Sequence, residues 1–215
     1  MKKHFKIVSI NIKNISYSFK NKTLGSCLDI SVGSGEFAII TGESGIGKTT
    51  LLNVIAGLKK PDHGEIYLDQ KILNSESVFV EPENRNIGYV FQDFALFPHI
   101  SVTKNILYAS KEKKDDLLLF KKFVEALNLE NHLNKMPYEL SGGLMQRTAI
   151  CRSLMMQPSL LLMDEPISNL DHENANAVQL LVSEYVQKRN IPCLIVSHDI
   201  DQFNEIKFSK KLHIS

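Results

Sequence analysis

The chain has 215 residues and a formal net charge of +1; 43% of its residues are hydrophobic and 23% are charged. This composition is typical of a folded globular protein and excludes collagen-like, low-complexity and disordered chains. Only four of the 25 basic residues are arginine, the side chain that most often recognises the edges of bases. The charge balance therefore gives no indication of a nucleic-acid partner, and we expect none.

Cysteine spacing and apolar runs bear on where the protein works. Cys27, Cys151 and Cys193 lie far apart, so we interpret them as small buried side chains in a reducing compartment. The apolar run at residues 7–10 is shorter than the roughly 7–15 residues of a secretory signal. No run approaches the roughly 20 apolar residues of a membrane span. We expect a soluble intracellular protein.

The first half of the chain has the pattern of short strands followed by a helix. Apolar and polar residues alternate at 15–19, and residues 35–41 end in a compact apolar run. Both patterns predict strands. The apolar spacing over residues 48–58 predicts a helix, and further short strands are predicted at 65–68 and 86–92.

The second half changes character twice. Residues 101–156 are rich in Leu, Lys and Glu with helical spacing, and Ser101 is the predicted N-cap. Strand–helix alternation then resumes, with predicted elements at 160–163, 172–190, 193–196 and 211–214. Such alternation indicates an α/β fold with a parallel sheet. The helical block at 101–156 is predicted to be an insertion into it.

A glycine-rich segment separates the predicted strand at 35–41 from the helix that follows. It matches G-x-x-x-x-G-K-[ST], a pattern whose glycines let backbone N–H groups surround phosphate oxygens at a helix N-terminus. In this pattern the lysine adds a charge at the outer phosphates and the hydroxyl binds Mg²⁺. The segment consists of Gly42, Glu43, Ser44, Gly45, Ile46, Gly47, Lys48, Thr49 and Thr50.

Two acids follow the apolar strand predicted at residues 160–163. A buried parallel strand places the residue after it at the carboxyl edge of the sheet, where ligands of open α/β sheets bind. We expect Asp164 to reach the Mg²⁺ shell. Glu165 is then a carboxylate near the γ-phosphate, able to orient and deprotonate a water molecule.

Three further motifs complete a recognisable set. Gln92 follows one predicted strand, residues 140–147 have the sequence LSGGLMQR, and His198 stands in VSHD after another strand. With the phosphate loop and the acidic pair, in this order, the chain resembles the ATP-binding cassette of ABC transporters from about residue 15 to 205. The resemblance implies a P-loop NTPase core with an N-terminal antiparallel β subdomain and a helical subdomain inserted at about 101–156. We expect residues 1–215 to form one such cassette.

The resemblance also implies roles for individual residues. Cassettes of this family work as head-to-tail dimers, so Ser141, Gly142 and Gly143 would contact ATP held by the partner subunit. Asp171 matches the loop that crosses the dimer interface. These residues and the phosphate loop form the implied ATP site.

Three other positions match the family's remaining site residues. Gln92 resembles the glutamine that contacts Mg²⁺ and the attacking water and senses the membrane partner. His198 resembles the histidine that contacts the γ-phosphate. Phe19 matches the aromatic residue that stacks on adenine, with Tyr17 as the alternative.

One long segment narrows the resemblance further. Residues 81–99 are most similar to the ATPase subunit of bacterial molybdate importers, and importers of sulfate, phosphonate, iron(III) and spermidine carry related sequences. The resemblance implies a peripheral subunit at the cytoplasmic face of the bacterial inner membrane. Its partners would be permease subunits and, through them, a periplasmic binding protein. Phe94, Leu96 and Phe97, which follow Gln92, are predicted to be exposed and to include the permease-docking surface.

Two departures from the family pattern have consequences. Position 144 is usually Gln or Glu, and Leu144 removes a polar group from the predicted dimer interface. Leu144 therefore leaves a second function open, a regulatory ABC protein that hydrolyses little ATP. A separate alternative is the ATPase of another importer, for sulfate, iron(III) or spermidine. The chain ends at Ser215, so we expect no C-terminal regulatory domain and no feedback inhibition through one. A soluble ABC ATPase of repair or translation is disfavoured, because those usually carry two cassettes or long coiled-coil insertions.

Overall fold

The computed structural model describes residues 9–19, 22–108, 110 and 114–214. The apolar run at residues 7–10 lies partly outside these ranges. The strands are β1 (Ile10–Phe19), β2 (Lys22–Val32), β3 (Phe37–Gly42), β4 (His63–Leu68), β5 (Lys71–Asn74), β6 (Ile87–Val90), β7 (Leu160–Asp164), β8 (Cys193–Val196) and β9 (Phe208–Ile214). The helices are α1 (Lys48–Ala56), α2 (Val102–Leu107), α3 (Lys114–Ala126), α4 (Gly142–Met155) and α5 (His172–Arg189), with short 3-10 turns at Pro82–Asn84, Glu130–His132 and Pro137–Glu139.

The N-terminal sheet is antiparallel, with strand order β2-β1-β4-β5. Its central strand β1 shifts register between Ile12 and Ile15, where Asn14 has φ of 50°. The two consecutive residues Lys13 and Asn14 are exposed there, whereas Ile12 and Ile15 are both buried. The bulge therefore keeps the apolar side chains of both halves of β1 on the same face of the sheet.

The second sheet is entirely parallel, with strand order β6-β7-β8-β3-β9. β7 and β8 are buried at every residue, as expected for strands covered on both faces. Val196 at the end of β8 pairs with Ile40 on one side and Asp164 on the other. The loop after β3 and the acids after β7 therefore emerge at the same edge of the sheet.

Alternate residues of the parallel strands belong to two different hydrophobic clusters. In β3, Phe37 and Ile39 pack on the side of α2, α3, α4 and α5, whereas Ala38 and Ile40 pack on the side of α1 and the antiparallel sheet. Because side chains alternate across a strand, one apolar run supplies both cores. The sheet is thus the central layer of the molecule.

Arg85 is a fully buried cation beside the end of α1. Its guanidinium donates to the carbonyl oxygens of Val54 and Ile55 in the last turn of α1. It also donates to the carbonyls of Val80 and Leu73. Burial lowers its pKa to about 10, so the group stays charged at neutral pH.

Between β6 and β7 lie α2, α3 and α4, in the segment for which the sequence predicts helical structure. Ser101 caps α2 as predicted, because its hydroxyl accepts a hydrogen bond from the N–H of Lys104 at 3.4 Å. The α/β class and the separate antiparallel sheet are confirmed. The limits of the inserted subdomain, 101–156, stay a prediction. Cys151 and Cys193 are buried as predicted, but Cys27 is exposed, because it lies where β2 shifts register against β1 and has φ of 54°. In the described part of the chain, no helix combines the length and the apolar character needed to cross a bilayer.

Candidate active site

The glycine-rich loop connects β3 to α1 and has little space for side chains at two positions. Gly47 caps α1 with φ of 109°, and a Cβ there would lie 2.7 Å from the Cβ of Leu24. Gly42 has φ of 149°, and a Cβ there would lie 2.4 Å from the carbonyl oxygen of Ile214. The two glycines that the pattern specifies, Gly42 and Gly47, are therefore required by both backbone conformation and close packing.

Lys48 is held across this loop. Its side chain is buried, and the Nζ atom donates to the carbonyl oxygens of Gly42 and Glu43, both at 2.8 Å. These bonds keep the ammonium group on the concave side of the loop. A buried cation surrounded by backbone dipoles is suited to bind a phosphate oxygen.

Asp164 ends β7 as a buried carboxylate. Among the described residues, neither of its carboxylate oxygens has a hydrogen-bond partner. Burial raises its pKa, an effect that neighbouring Glu165 increases and that Thr49 and Lys48 partly offset. Unpaired carboxylate oxygens beside a threonine hydroxyl are hard oxygen donors, which are the ligands that Mg²⁺ prefers. The residues at this position therefore fit a magnesium ion.

Glu165 follows Asp164 but lies in a different environment. Its backbone has φ of 49°, and its N–H donates to the carbonyl of Val196 at 2.9 Å. Its carboxylate accepts hydrogen bonds from the Ser197 hydroxyl at 3.2 Å and from the His198 N–H at 3.1 Å. The His198 Nδ1 atom lies 3.0 Å from the same carboxylate. The structure thus brings the predicted base and the predicted histidine into direct contact.

A cavity of about 410 Å³ joins the phosphate loop to the acidic pair. Most of the predicted site residues line it. Gly42, Glu43 and Ile46 belong to the loop, and His198 contacts Glu165, but these four do not line the cavity. The lining residues are Phe19, Leu24, Ser44, Gly45, Gly47, Lys48, Thr49, Thr50, Gln92, Asp164, Glu165 and Val196.

The two aromatic candidates occupy different places. Phe19 is 52% exposed and lines the cavity, whereas Tyr17 is fully buried. The Tyr17 ring packs close to Gly47 and Gly25, on the core side of the loop. The geometry therefore favours Phe19 over Tyr17 as the aromatic residue available to a ligand in the cavity.

Ser141, Gly142 and Gly143, the signature residues of the LSGGLMQR motif, do not line this cavity, and neither does Asp171. Ser141 is the N-cap of α4, where its hydroxyl accepts from the N–H of Leu144 at 3.4 Å. Asp171 is the N-cap of α5, and hydrogen bonds from Asn174 lower its pKa. In the single chain these residues cap helices, and their predicted contact with a partner's nucleotide stays a prediction.

Gln146 and Ser197 are site residues that sequence reasoning missed. Ser197 donates to the Glu165 carboxylate, as described above. Gln146 donates from Nε2 to the carbonyl oxygen of Glu165 at 2.7 Å, and its Oε1 accepts from the N–H of Asn169 at 3.1 Å. Gln146 lies within the LSGGLMQR motif, but no spacing rule shows which backbone groups a buried glutamine will contact.

A second cavity, of about 430 Å³, is an apolar groove beside β6. Phe97 lines it, but Phe94 and Leu96 do not. All three side chains are half-buried, so the prediction of an exposed cluster was wrong. The reason is that Arg152 donates to the carbonyls of Phe94 and Ala95 and holds this loop against α4.

A third cavity lies between the two. It is lined by Thr49 and Asp164 at one end and by Leu58 and Phe91 at the other, with Gln92 along it. The cavity beside the phosphate loop shares Thr49, Gln92 and Asp164 with it, and the apolar groove shares Leu58, Tyr89 and Phe91.

The fold and the site together define a P-loop nucleotide-binding protein, and comparison with known proteins makes this more specific. Residues 26–168 match the family model described as ABC transporter. The chain is 40% identical over 90% of its length to the glucose import ATP-binding protein GlcV of Saccharolobus solfataricus. It is 44% identical over 76% of its length to the molybdenum import ATP-binding protein ModC of Pectobacterium atrosepticum. A probable sulfate/thiosulfate import ATP-binding protein of Chlorella vulgaris is 36% identical over 93% of the chain.

These matches cover 57%, 46% and 84% of the relatives' own lengths, so the chain spans about half of the first two. A solved dimeric ATP-binding cassette, bound to ADP and Pi after hydrolysis, superposes with a TM-score of 0.79 at 27% identity. That comparison covers 91% of this chain and 90% of the other. The chain belongs to the ABC transporter family, as an ATP-binding cassette, and the predicted fold class is confirmed.

Proposed function

We propose that this cassette binds Mg²⁺-ATP and hydrolyses it to power an importer. The observation that carries the proposal is the convergence of Lys48, Thr49, Asp164 and Glu165 on one cavity. The lysine and the loop supply positive charge and N–H donors, and the two acids supply a metal ligand and a base. ATP hydrolysis needs each of these groups.

Phosphate binding requires a local exchange of hydrogen bonds. Lys48 now donates to the carbonyls of Gly42 and Glu43, and it would donate instead to the outer phosphate oxygens. Thr49, Asp164 and Gln92 would hold Mg²⁺, which supplies charge neutralisation of the phosphates when bound. Phe19, exposed at the same cavity, would stack on the adenine ring.

Glu165 is the proposed general base. Its carboxylate would orient a water molecule for in-line attack and accept the water's proton. The Ser197 hydroxyl and the His198 N–H keep this carboxylate in one position. His198 is exposed, with 61% of its side chain accessible, so it is free to turn from Glu165 towards the γ-phosphate.

The proposed active unit is a head-to-tail dimer of cassettes. Ser141, Gly142 and Gly143 do not line the cavity of about 410 Å³, which is the proposed nucleotide cavity, and Asp171 caps the start of α5. These residues would complete the nucleotide site of the second cassette. The superposed ATP-binding cassette was solved as a dimer, which supports this arrangement.

The proposed partners are permease subunits and a periplasmic binding protein, with the cassette peripheral at the cytoplasmic face of the membrane. The relatives' names include import of molybdenum, glucose, iron(III), maltose and sulfate. We favour molybdate or a related oxyanion, because relatives named for molybdenum import are 41–44% identical to this chain. Stimulation of the assembled transporter by molybdate, compared with sulfate and glucose, tests the solute.

Replacing the base tests the central proposal. Glu165→Gln should retain ATP binding, because the amide has the same shape, and slow hydrolysis by roughly 10²–10⁴-fold. An ATP-bound dimer should accumulate. Glu173→Gln, an exposed glutamate in the first turn of α5, is the matched control and should hydrolyse ATP normally. Wild-type turnover in Glu165→Gln would remove Glu165 from the proposed role.

A further inference from the structure

The buried side chain of Gln146 connects α4, the helix that begins at the signature residues, to the segment that carries Glu165. Gln146 lies in the second turn of α4 and is 2% exposed. Its Nε2 donates to the carbonyl of Glu165 at 2.7 Å, and its Oε1 accepts from the N–H of Asn169 at 3.1 Å. Both ends of the amide are therefore used, and they join the first and last residues of the turn from 165 to 169.

This turn contains a backbone conformation that needs support. Glu165 has φ of 49°, in the left-handed region that residues with a side chain rarely adopt. Such a conformation persists only when surrounding contacts over-determine it. The Glu165 N–H is held by Val196, while its carbonyl is held by Gln146 and by the hydroxyl of Ser168 at 3.1 Å. This conformation directs the carboxylate to Ser197 and His198.

The start of α4 packs on the same turn. A Cβ at Gly143 would lie 3.0 Å from the carbonyl oxygen of Asn169, and a Cβ at Gly142 would lie 3.7 Å from the Asn169 side chain. The signature segment, residues 141–143, therefore cannot move towards this turn without displacing it. Packing and the Gln146 hydrogen bonds act on the same backbone.

We propose that Gln146 is a positioning residue that couples the signature segment to Glu165 of the same chain. The proposal rests on the proposed ATP hydrolysis. Ser141–Gly143 would contact ATP in the partner's site, and the resulting shift of α4 would reach Glu165 through the Gln146 amide. Gln146 thereby links the state of one nucleotide site to the alignment of the base in the other.

The chain contains a matched control for this side chain. Gln179 on α5 is 1% exposed, donates to the carbonyl of Gln202 at 3.0 Å and accepts from the N–H of Glu205 at 3.0 Å. It bridges two backbone groups in the same way as Gln146. The residues it bridges do not line the nucleotide cavity.

Gln146→Met and Gln179→Met each remove two hydrogen bonds between a side-chain amide and the backbone, and each keeps a side chain of similar volume. Both variants of the full chain should unfold at lower temperature than the wild type. Gln146→Met should lower kcat by about 10- to 100-fold, because the base is displaced, and leave the Kd for Mg²⁺-ATP within about twofold. Gln179→Met should keep both constants within about twofold of the wild type.

A double variant separates positioning of the base from a general weakening of the fold. In the Glu165→Gln background, adding Gln146→Met should cause no further loss of the residual rate, because the positioned group is already absent. Additive losses, or equal kcat values in Gln146→Met and Gln179→Met, would overturn the proposal.

Gln146→Glu is the second variant if Gln146→Met does not fold. The ionised carboxylate still accepts from the Asn169 N–H but cannot donate to the Glu165 carbonyl, whereas the protonated carboxyl can donate to it. The kcat of this variant, divided by that of the wild type at the same pH, should therefore fall as pH rises and the introduced carboxyl ionises. A ratio of one at every pH tested would also overturn the proposal. A wild-type chain without ATP hydrolysis would instead refute the proposed function itself.

Discussion

Asp164 and Glu165 show how two adjacent carboxylates acquire different chemistry. Glu165 accepts hydrogen bonds from Ser197 and His198, whereas Asp164 has no hydrogen-bond partner among the described residues. An ionised carboxylate buried without a partner destabilises the fold, and a bound cation removes that cost. In the proposed function, Asp164 would therefore lower the stability of the metal-free cassette and raise its affinity for Mg²⁺.

Asp164→Asn should raise the free energy of unfolding of the metal-free protein at neutral pH by on the order of 1 kcal/mol. The pKa of Asp164 is raised in the folded state. Ionisation of this carboxyl therefore lowers the free energy of unfolding, and the whole effect is present when the pH is above the raised pKa. The advantage of the variant should disappear as pH falls through the raised pKa and then the ordinary pKa of Asp. Denaturant unfolding in the presence of a chelator, at several pH values, measures the difference.

The same substitution has an opposite consequence with ligand present. Mg²⁺-ATP should raise the unfolding temperature of the wild type more than that of Asp164→Asn, because the variant has lost a charged ligand. A variant that is less stable than the wild type in chelator, with an equal response to Mg²⁺-ATP, would contradict both expectations.

The site was only partly predictable at the scale of residues. The phosphate loop and the acidic pair are local patterns whose chemistry follows from their position at strand ends. Gln146 and Ser197 act through contacts between segments that are distant in the chain, which spacing does not show. The choice of Phe19 over Tyr17 likewise required the burial of each ring, since both lie in one alternating strand.

At the scale of elements, α4 combines a core face with an exposed N-terminus. Leu144, where the family usually has Gln or Glu, is half-buried and packs against the cluster beneath α4. Its N–H and carbonyl remain bonded to Ser141 and Thr148, so the helix start does not depend on the side chain. We therefore expect the departure at position 144 to affect the proposed dimer more than the fold of the single chain.

Leu144→Gln in the Glu165→Gln background should strengthen the ATP-dependent dimer. A restored hydrogen bond contributes about 0.5–1.5 kcal/mol per site, and two sites contribute roughly 1–3 kcal/mol. The dimer should tighten by about five- to more than a hundredfold. Sedimentation with ATP measures this, and unfolding of the monomer without ATP controls for altered stability. An unchanged or weaker dimer would show that Leu144 already compensates by apolar packing.

Elements with a strong local signal were predicted well, and weak ones were not. β8 occupies residues 193–196 as predicted, and α5 differs from the predicted 172–190 by one residue. β5, with four residues, was not predicted as a strand, because its pairing with β4 is tertiary information. The helical block at 101–156 was not divided into α2, α3 and α4, and the connection from α3 to α4 at residues 127–141 includes two 3-10 turns that its sequence did not reveal.

At the scale of the whole molecule, the nucleotide cavity and the apolar groove are neighbours. The cavity between them shares Gln92 with the first and Phe91 with the second. In the groove, Phe97 contacts the ring of Tyr108 at a centroid distance of 4.3 Å and lies over Arg152. A permease helix placed in this groove would be close to Gln92, which lines both the cavity between them and the proposed nucleotide cavity.

Phe97→Asp should abolish capture of the permease and leave the Kd for Mg²⁺-ATP within about twofold, because the groove and the phosphate loop are separate. Leu180→Asp, which alters an exposed apolar residue on α5, is the control and should retain capture. Co-purification of the two subunits from membranes measures the effect. Normal capture by Phe97→Asp would place docking elsewhere.

The whole architecture followed from sequence more readily than its internal connections did. Strand–helix alternation predicted the parallel sheet, and the family resemblance implied the separate antiparallel sheet. The strand order β6-β7-β8-β3-β9 places Asp164 near Gly42. It depends on the pairing of β3 with β8 and β9, which joins residues more than a hundred positions apart. Alternation along the chain contains no information about that order.

The buried Arg85 has a thermodynamic consequence for the opposite end of α1. Its guanidinium neutralises the carbonyl end of the helix dipole through Val54 and Ile55, so the helix is stabilised before any anion reaches its N-terminus. The phosphate loop is therefore a preformed receptor, and nucleotide association does not include the nucleation of a helix. We therefore expect ATP binding to order little additional chain and to bury little apolar surface. The heat-capacity change of ATP binding to the isolated cassette should then be small.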